Sequence, residues 1–402
     1  MDTRSNEKSA PRLLFITSDA PFFITHFLPL AQAAHEKGYA VHIAAPLDSG
    51  SGRGDKAAAE TLRAKDLIFH EIGLKRAGTN PLSELTLVAQ LAALINKIKP
   101  DLIHGLGLKP VLYAGTIARL RGIRAIHAVI GLGLPFMGEG FAARLRRTLL
   151  RFALGFVFAN PRSWVTVENE DDRAIVLSTG SAKPTRIARL YGVGADLALF
   201  HPRAEAVEDA TPIIMFAARL IAPKGIYDFV EAARRIRTKG PSARFVLQCQ
   251  PDRKNRNAVS EAEVEAWQRE GVIEWWGNST KMAGDLRRAD IFCLPTYYRE
   301  GLPKVLIEAA ATGLPIVTTD VPGCRDVVRD GENGIVIPPR DVDALEAALR
   351  RLITDLPFRH AAGVKSRMIA EERFSVTFFL DTYLGIFDAL LGDATSTRAI
   401  SR

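Results

Sequence analysis

The sequence predicts an α/β protein with two doubly wound parallel sheets in tandem. Short apolar segments alternate with longer stretches of helical periodicity, and this alternation stops once, at 196–212, before it resumes. Strands separated by helices imply right-handed crossovers and therefore parallel strands. A chain of 402 residues is long enough for two domains that each bury a core, and these observations together indicate two Rossmann-like units.

The first half of the chain begins with a short apolar segment that is typical of a buried strand. The helix that follows it ends near Gly38, since glycine commonly terminates a helix. Further helical periodicity covers 82–99 and the segment that ends at Gly122. The segments predicted as strands are 12–18, 39–46, 67–74, 101–105, 124–131 and 163–169.

The polar segment at 196–212 carries two prolines and no apolar periodicity, which is typical of an interdomain linker. The strand–helix alternation then resumes, and helical segments follow its last strand. We expect an N-terminal domain over 1–200, a C-terminal domain over 201–375, and a final helix over 376–402 that returns toward the N-terminal domain and ends in a frayed tail. The strands predicted in this half are 213–220, 243–250, 272–278, 291–296, 315–321 and 334–339.

Composition limits the classes of function. The net charge of +8 and the pI of about 9.4 indicate an anionic partner, which is a nucleic acid, a membrane surface or a phosphorylated substrate. The three cysteines form no C-x-x-C pair, so zinc and thioredoxin-like chemistry have no support, and an odd number fits a reducing compartment. The first twelve residues lack an apolar core and the longest apolar run is short, so we expect a soluble or peripheral protein without a signal peptide.

Ligands bind such sheets at the carboxyl ends of the strands, and two facing sheets form a deep cleft. Neither half has a G-x-G-x-x-G after its first strand, which argues against a dinucleotide oxidoreductase. The strongest motif at this edge is the segment 288–328. There a strand ends near Thr296, a loop follows, and Pro303 suits the first turn of a helix.

Residues of this loop and helix suit a phosphorylated sugar ligand. Gly301, Leu302 and the helix start after Pro303 present backbone N–H groups, which favour an anion or sugar hydroxyls. Glu300 in the loop and Glu308 in the helix are far enough apart to contact two ends of one ligand. The alternative to a ligand-binding role is that both glutamates are ordinary solvent-exposed side chains.

A second motif lies between the first strand of the second half and its first helix. Arg219 and Lys224 flank this turn at the cleft edge, where an arginine fork and a lysine charge can neutralise a diphosphate. The alternative is two surface charges in a basic protein. The co-occurrence of this motif with the acidic one favours a functional interpretation.

Together the two motifs resemble those of the retaining glycosyltransferases of the GT-B fold, which carry E-x(7)-E and R-x(4)-K-G. The resemblance implies that Glu300 contacts the donor sugar, that Glu308 binds the ribose, and that Arg219 and Lys224 stabilise the leaving nucleoside diphosphate. It also implies two Rossmann-like domains facing a central cleft. The chain departs from the family at residue 218, which is Ala where the family usually has Gly.

The N-terminal half resembles a narrower branch that acts on undecaprenyl-diphosphate-linked saccharides in capsule, O-antigen or protein-glycan assembly. Arg76, Asn80 and Pro81 match its R-x-G-x-N-P stretch, and the likeness extends over nearly all of 12–385. The branch often has Val-Gly at 248–249, where this chain has Gln and Cys close to the expected position of the base.

Several residues of the first half are candidates for ligand contact. Phe23 and His26 follow the first strand and His104 ends another, so all three are assigned to the acceptor side, although relatives often have H-x-H at 104–106. His127 lies within an apolar strand and is more typical of a core histidine. Gly131 and Gly133 occupy the turn where distant relatives contact the donor, and glycine permits a close backbone approach.

The segment 141–159 has the pattern of a basic amphipathic helix. At helical spacing, Arg144, Arg147 and Arg151 share one face. The apolar residues of the other face are Leu145, Leu149, Phe152 and Phe156. Such a helix suits an anionic membrane surface. The alternative is an outer helix that packs its apolar face on the sheet, and nucleic-acid binding is disfavoured because no nucleic-acid motif is present.

The sequence therefore predicts a retaining hexosyl- or N-acetylhexosaminyltransferase that uses a nucleotide-diphospho-sugar, UDP-linked by expectation, and a lipid-diphosphate-linked saccharide acceptor. We expect it to work without a metal or other cofactor, because Arg219 and Lys224 supply the positive charge. We expect a cytoplasmic location on the inner face of the cell membrane. Two alternatives stay open: a UDP-sugar 2-epimerase of the same fold, and a non-catalytic nucleotide-sugar-binding protein.

Overall fold

The computed structural model describes residues 10–48, 55–75, 80–132, 136, 140–204, 211–253, 255–279, 281–299 and 301–392, with the backbone alone at 250. Two parallel sheets form its framework, one from each half of the chain, and helices cover both. The fold prediction is therefore confirmed.

The first sheet has the strand order β3-β2-β1-β4-β5-β6-β7. The order reverses between β1 and β4, where Phe15 pairs with His104. The strands are β1 (Arg12–Thr17), β2 (Ala40–Ala45), β3 (Ile68–Glu71), β4 (Leu102–Leu106), β5 (Arg124–Val129), β6 (Ser163–Val167) and β7 (Ile187–Arg189). The helices between them are α1 (Ala20–Glu36), α2 (Asp55–Arg63), α3 (Pro81–Ile98), α4 (Leu108–Arg121), α5 (Phe141–Phe158) and α6 (Glu170–Leu177).

The second sheet has the order β10-β9-β8-β11-β12-β13, with its reversal between β8 and β11. Its strands are β8 (Ile213–Leu220), β9 (Arg244–Pro251), β10 (Glu274–Trp275), β11 (Ile291–Leu294), β12 (Ile316–Thr319) and β13 (Gly334–Ile337). The associated helices are α7 (Ile226–Lys239), α8 (Glu261–Arg269), α9 (Met282–Leu286), α10 (Lys304–Ala311), α11 (Cys324–Val327), α12 (Val342–Thr354) and α13 (Leu356–Arg373).

Helix α14 (Val376–Leu391) belongs to the N-terminal core although it follows the second sheet in sequence. Ser375 caps its first turn by accepting a hydrogen bond from the Phe378 N–H. The rings of Tyr383 and Phe387 then lie against His104, with centroid separations of 4.8 Å and 6.2 Å. The final helix thus completes the apolar core around α1 and β4.

Local sequence accounts for where the site-bearing helices begin. Asp19 accepts a hydrogen bond from the Phe22 N–H at 2.8 Å and starts α1 immediately after β1. Asn169 does the same for α6 after β6, accepting from the Asp172 N–H at 2.8 Å. Both helices therefore begin at the carboxyl edge of the first sheet, where ligands bind in this class of fold.

Candidate active site

The basic turn of the second domain lies against the loop that follows β11. The Pro223 carbonyl accepts hydrogen bonds from the Thr296 hydroxyl at 3.0 Å and from the Tyr297 N–H at 3.1 Å. Gly225 has φ +81°, and a Cβ atom there would overlap the Pro295 carbonyl oxygen. Glycine is thus required for this close approach, which places Lys224 beside the loop that leads to α10.

Arg219 projects from the end of β8 and is held by a buried carboxylate. Its Nη1 donates to Asp252 Oδ2 at 2.9 Å, and the Asp252 side chain is 6% exposed. Asn255 Nδ2 lies 3.3 Å from the same oxygen. A carboxylate with two donors fixes the direction of the guanidinium, so Arg219 presents its remaining N–H groups from a defined position.

Helix α10 begins at Lys304, with Pro303 at its N-cap and with Leu306 to Ala311 all buried. The Leu302 N–H points across the cleft and donates to Glu168 Oε2 at 2.9 Å. Because Leu302 follows β11 and Glu168 follows β6, this contact shows that the carboxyl edges of the two sheets face each other.

Glu308 lies in the second turn of α10 and is 8% exposed. Burial raises the pKa of its carboxyl group, while the nearby Lys304 ammonium opposes this change. The Lys304 Nζ lies 3.5 Å from Glu308 Oε1 and donates to the Thr25 carbonyl of α1 at 3.0 Å. Lys304 therefore connects the predicted ribose acid to the opposite domain.

Charged pairs join the domains next to these contacts. Arg325 Nη2 lies 2.6 Å from Asp171 Oδ2 at the start of α6. Arg189 Nη2 lies 2.6 Å from Asp326 Oδ1, and the Asp326 side chain is 9% exposed. The first pair joins α6 to α11 and the second joins β7 to α11, so this side of the cleft is closed in the structure.

The turn after β5 approaches the same place. Gly131 has φ +68°, and the Leu132 N–H donates to Asp172 Oδ1 at 3.3 Å. Asp172 is 1% exposed, and burial raises its pKa to about 6. Its second oxygen accepts from Asn169 Nδ2 at 3.0 Å. The expected donor-side turn is therefore attached to the start of α6, next to Glu168.

Three of the predicted site residues lie outside the described part of the chain. These are Glu300, Gly133 and Arg76. Their assigned roles stay predictions. The structure does bring together Arg219, Lys224, the Gly301–Pro303 segment and Glu308 around one end of the second sheet.

The acceptor-side candidates divide into buried and accessible residues. Phe23 and His104 are both 0% exposed, and burial lowers the pKa of His104 to about 3. Their assignment to the acceptor is therefore corrected: both pack in the N-terminal core. His26 is half-buried, with its ring stacked on Phe22 at 4.2 Å, and Asn80 is exposed and caps α3 through a hydrogen bond from the Leu82 N–H.

His127 occupies the core position that its apolar strand predicts. It is 1% exposed, and burial lowers its pKa to about 3. Its ring lies near Phe158 with a centroid separation of 5.8 Å. Because its pKa is lowered, the imidazole of His127 stays neutral and packs as a core side chain.

Sequence reasoning did not single out Asp252 or Glu168. Each lies within two residues of the carboxyl end of a parallel strand, β9 for Asp252 and β6 for Glu168. Their strand-end position could have identified both as candidate site residues, because strand ends on this edge face the cleft. The partners of the two carboxylates are 33 and 134 residues away, and local patterning carries no information on such pairs.

Helix α5 exposes the apolar face that the sequence pattern defines. Its exposed side chains are Phe141 at 83%, Leu145 at 49%, Leu149 at 60%, Phe152 at 75% and Phe156 at 41%. Its buried residues are Ala143, Leu154, Gly155, Val157 and Phe158. The helix therefore packs on the domain through a different face, and the alternative in which the Leu145–Phe156 face covers the sheet is wrong.

No helix among the described residues is both long and apolar enough to cross a bilayer. No three His, Cys, Asp or Glu side chains in the described ranges lie close enough together to hold a metal ion.

Two family models match the chain, one in each domain. The model described as "Glycosyl transferase 4-like" matches residues 12–159, and the model described as "Glycosyl transferases group 1" matches residues 211–355. The second match contains Arg219, Lys224 and Glu308.

Relatives match over nearly the whole length. The chain is 25% identical to the N,N'-diacetylbacillosaminyl-diphospho-undecaprenol alpha-1,3-N-acetylgalactosaminyltransferase of Campylobacter jejuni, over 93% of this chain and 98% of the relative. It is 23% identical to the capsular polysaccharide biosynthesis glycosyltransferase CapM of Staphylococcus aureus, over 81% of this chain and 86% of the relative.

Solved structures share the fold. The sucrose-phosphate synthase of Thermosynechococcus elongatus superposes with a TM-score of 0.75 at 18% identity, over 96% of this chain and 100% of that one. Anabaena HepE in complex with UDP gives 0.73 at 16% identity, over 94% and 100%. With both family models matched and both sheets in place, the chain belongs to the group 1 glycosyltransferases of the GT-B fold.

Proposed function

We propose that this glycosyltransferase moves a sugar, with retention, from a UDP-linked donor to a lipid-diphosphate-linked saccharide during surface-polysaccharide or glycan assembly. The observation that carries the proposal is the junction of the Arg219–Lys224 turn with the loop before α10, joined by the two hydrogen bonds to the Pro223 carbonyl. This junction places two cations and a helix start at one end of the cleft, which suits a diphosphate between a nucleoside and a sugar.

Each donor-side residue has a proposed role, which rests on position for the described residues and on the family resemblance for Glu300. Arg219, oriented by Asp252, and Lys224 stabilise the negative charge that develops on the leaving diphosphate. Buried Glu308 accepts hydrogen bonds from the ribose. The backbone at Gly301 and Leu302, together with Glu300, positions the sugar. Electrostatic stabilisation of the leaving group is the main catalytic contribution of the protein, and the reaction needs no metal.

Retention follows from attack on the face that the leaving group vacates. The bond between the anomeric carbon and the phosphate oxygen breaks, and the acceptor hydroxyl oxygen forms its bond to that carbon from the same side. The hydroxyl proton passes to the departing phosphate oxygen. This step needs no second carboxylate of the kind that retaining glycosidases use.

The relatives support the choice of substrates. The name of the Campylobacter relative states a diphospho-undecaprenol acceptor and transfer of N-acetylgalactosamine, and the relative matches nearly the full chain. The HepE structures contain UDP and UDP-glucose. We accordingly assign UDP-hexoses and UDP-N-acetylhexosamines as the donor class.

The exposed face of α5 supports attachment to an anionic membrane surface, on the cytoplasmic side where the acceptor would lie. Its apolar side chains are accompanied by Arg144, Arg147 and Arg151 on the same helix. A cavity of about 500 Å³ beside the helix is lined by Arg119, Arg151 and the hydroxyls of Thr148 and Ser178, among others. Apolar side chains that enter the interface and arginines that contact lipid phosphates are the features of peripheral membrane helices.

The test is a screen of UDP- and GDP-sugars with an undecaprenyl-diphosphate-linked saccharide as acceptor. We expect release of nucleoside diphosphate coupled to a heavier lipid product, with the anomeric configuration retained by NMR. Arg219→Gln should abolish turnover, whereas Arg253→Gln, whose side chain is 80% exposed and pairs with Glu261, is the matched control. A new UDP-sugar epimer formed without acceptor, or unchanged turnover in Arg219→Gln, would overturn the proposal.

A further inference from the structure

Glu168 occupies the donor end of the cleft although it belongs to the opposite domain. It follows β6, is 8% exposed, and its Oε2 accepts the Leu302 N–H at 2.9 Å. The contact joins residues 134 positions apart in sequence. A buried carboxylate from the N-terminal domain thus contacts the backbone group that the proposed function assigns to the donor.

The neighbouring backbone is shaped around this carboxylate. A Cβ atom at position 301 would overlap Glu168 Oε2, so Gly301 leaves the space that the oxygen fills. Asn169 holds the adjacent backbone, because it caps α6 and its Nδ2 donates to Asp172 Oδ2 at 3.0 Å and approaches the Gly301 carbonyl at 3.5 Å. These contacts fix the backbone at the start of α6, and from there the Glu168 side chain reaches the loop before α10.

An anionic donor and Glu168 require the same hydrogen-bond donor. Leu302 precedes the first turn of α10, whose backbone N–H groups favour a negative charge. The Glu168 carboxylate satisfies this N–H in the structure, and a diphosphate or sugar oxygen of a bound donor would take its place. Two negative groups at one N–H repel each other, so one occupant excludes the other.

We propose that Glu168 competes with the nucleotide-sugar for the donor site and thereby sets donor affinity. Its carboxylate pairs with the Leu302 N–H across the cleft, and donor binding displaces it and opens this interdomain contact. This inference rests on the proposed function, because it assumes that the donor diphosphate and sugar lie at the start of α10.

The size of the effect follows from the population of the paired state. The apparent dissociation constant of the donor equals its intrinsic value divided by the fraction of enzyme in which Glu168 does not occupy the site. A hydrogen bond that involves a charged group favours the paired state by about tenfold or more. Removal of the carboxylate should therefore tighten binding of UDP by about tenfold or more.

The experiment compares Glu168→Ala and Glu168→Gln with the full-length wild-type protein by calorimetric titration of UDP and of uridine. We expect tighter UDP binding in Glu168→Ala, a smaller gain in Glu168→Gln, and unchanged affinity for uridine, which lacks phosphates. Glu170→Gln is the matched control, because this carboxylate is 56% exposed at the same helix start and pairs with Arg173 and Arg189 of its own domain.

Hydrogen exchange of a peptide that contains Leu302 measures directly how far the Glu168 contact protects the Leu302 N–H. Exchange without ligand should be faster in Glu168→Ala than in the wild type, and UDP should slow it in both. Unchanged or weaker UDP binding in a folded Glu168→Ala would overturn the inference. If the wild type binds no nucleoside diphosphate while the exchange difference persists, the proposed function fails and the Glu168–Leu302 contact itself stands.

Discussion

Replacing the exposed apolar side chains of α5 should detach the protein from anionic vesicles without unfolding it. The change is the double variant Leu149→Ser with Phe152→Ser, at positions that are 60% and 75% exposed. Because both side chains already face solvent in the folded protein, their loss removes little packing, and we expect the melting temperature to stay within a few degrees of wild type.

The expected loss of affinity follows from these exposures. Full burial of a leucine or phenylalanine side chain is worth about 2 kcal/mol. Scaled by the exposed fractions of 60% and 75%, the two side chains together contribute about 2.7 kcal/mol on entering a membrane interface. That free energy corresponds to a roughly hundredfold weaker partition.

Sedimentation with vesicles of phosphatidylglycerol or of phosphatidylcholine measures this partition, and the salt dependence reports the arginine contribution. The matched control is Leu82→Ser with Leu85→Ser, because these α3 side chains are 75% and 67% exposed in the same domain. Equal vesicle binding by wild type and the α5 variant, or an equal loss in the α3 control, would refute the assignment of α5 as the membrane-facing helix.

Three further changes test the interior of the site and the core. Asp252→Asn should lower kcat about tenfold or more in steady-state kinetics, because Arg219 loses its charged hydrogen-bond partner, while Arg253→Gln in the same segment should leave kcat unchanged. Glu308→Gln should raise the KM for the donor and leave or increase thermal stability, because burial raises the pKa of this carboxyl group and penalises its charged form. Burial lowers the pKa of His104 to about 3 from 6.5, so unfolding takes up a proton between these pH values and the free energy of unfolding falls as pH decreases through that window. Between pH 7.5 and 5.0 the free energy of unfolding, measured with urea, should fall by about 2 kcal/mol less in His104→Phe than in the wild type.

Contrary results would identify which step of the reasoning is wrong. Wild-type kcat in Asp252→Asn would mean that Arg219 is positioned without its partner. A decreased melting temperature in Glu308→Gln would mean that its charge stabilises the fold. An unchanged pH dependence in His104→Phe would mean that this imidazole does not stay neutral in the folded state.

The sequence predicted most of the fold because apolar segments and their spacing are local properties. The strand predicted at 213–220 matches β8 residue for residue, whereas β7 was missed because it has only three residues and a polar end. The donor-side motifs were found because they lie within single strand–turn–helix units. Asp252 and Glu168 were not, since their roles depend on partners brought together by the sheet and by domain contact.

His104 shows that a local pattern can also predict the wrong environment for a residue. Its position near the end of a strand predicts a place at the cleft, and β4 does run to that edge. The residue is nevertheless buried, because α14 covers it with Tyr383 and Phe387. A helix contributed from more than 270 positions further along the chain decides the environment, and no pattern near residue 104 records it.

The position of α14 also has a consequence for synthesis of the chain on the ribosome. The strands of the first sheet end at Arg189, yet the rings that cover Phe27 and His104 belong to 376–391, about 190 residues later. At about 5–20 residues per second, the nascent N-terminal domain waits on the order of ten to forty seconds for its last core element. During that time apolar surface on α1 and β4 stays uncovered, so we expect the nascent first domain to attract chaperones until α14 has been made.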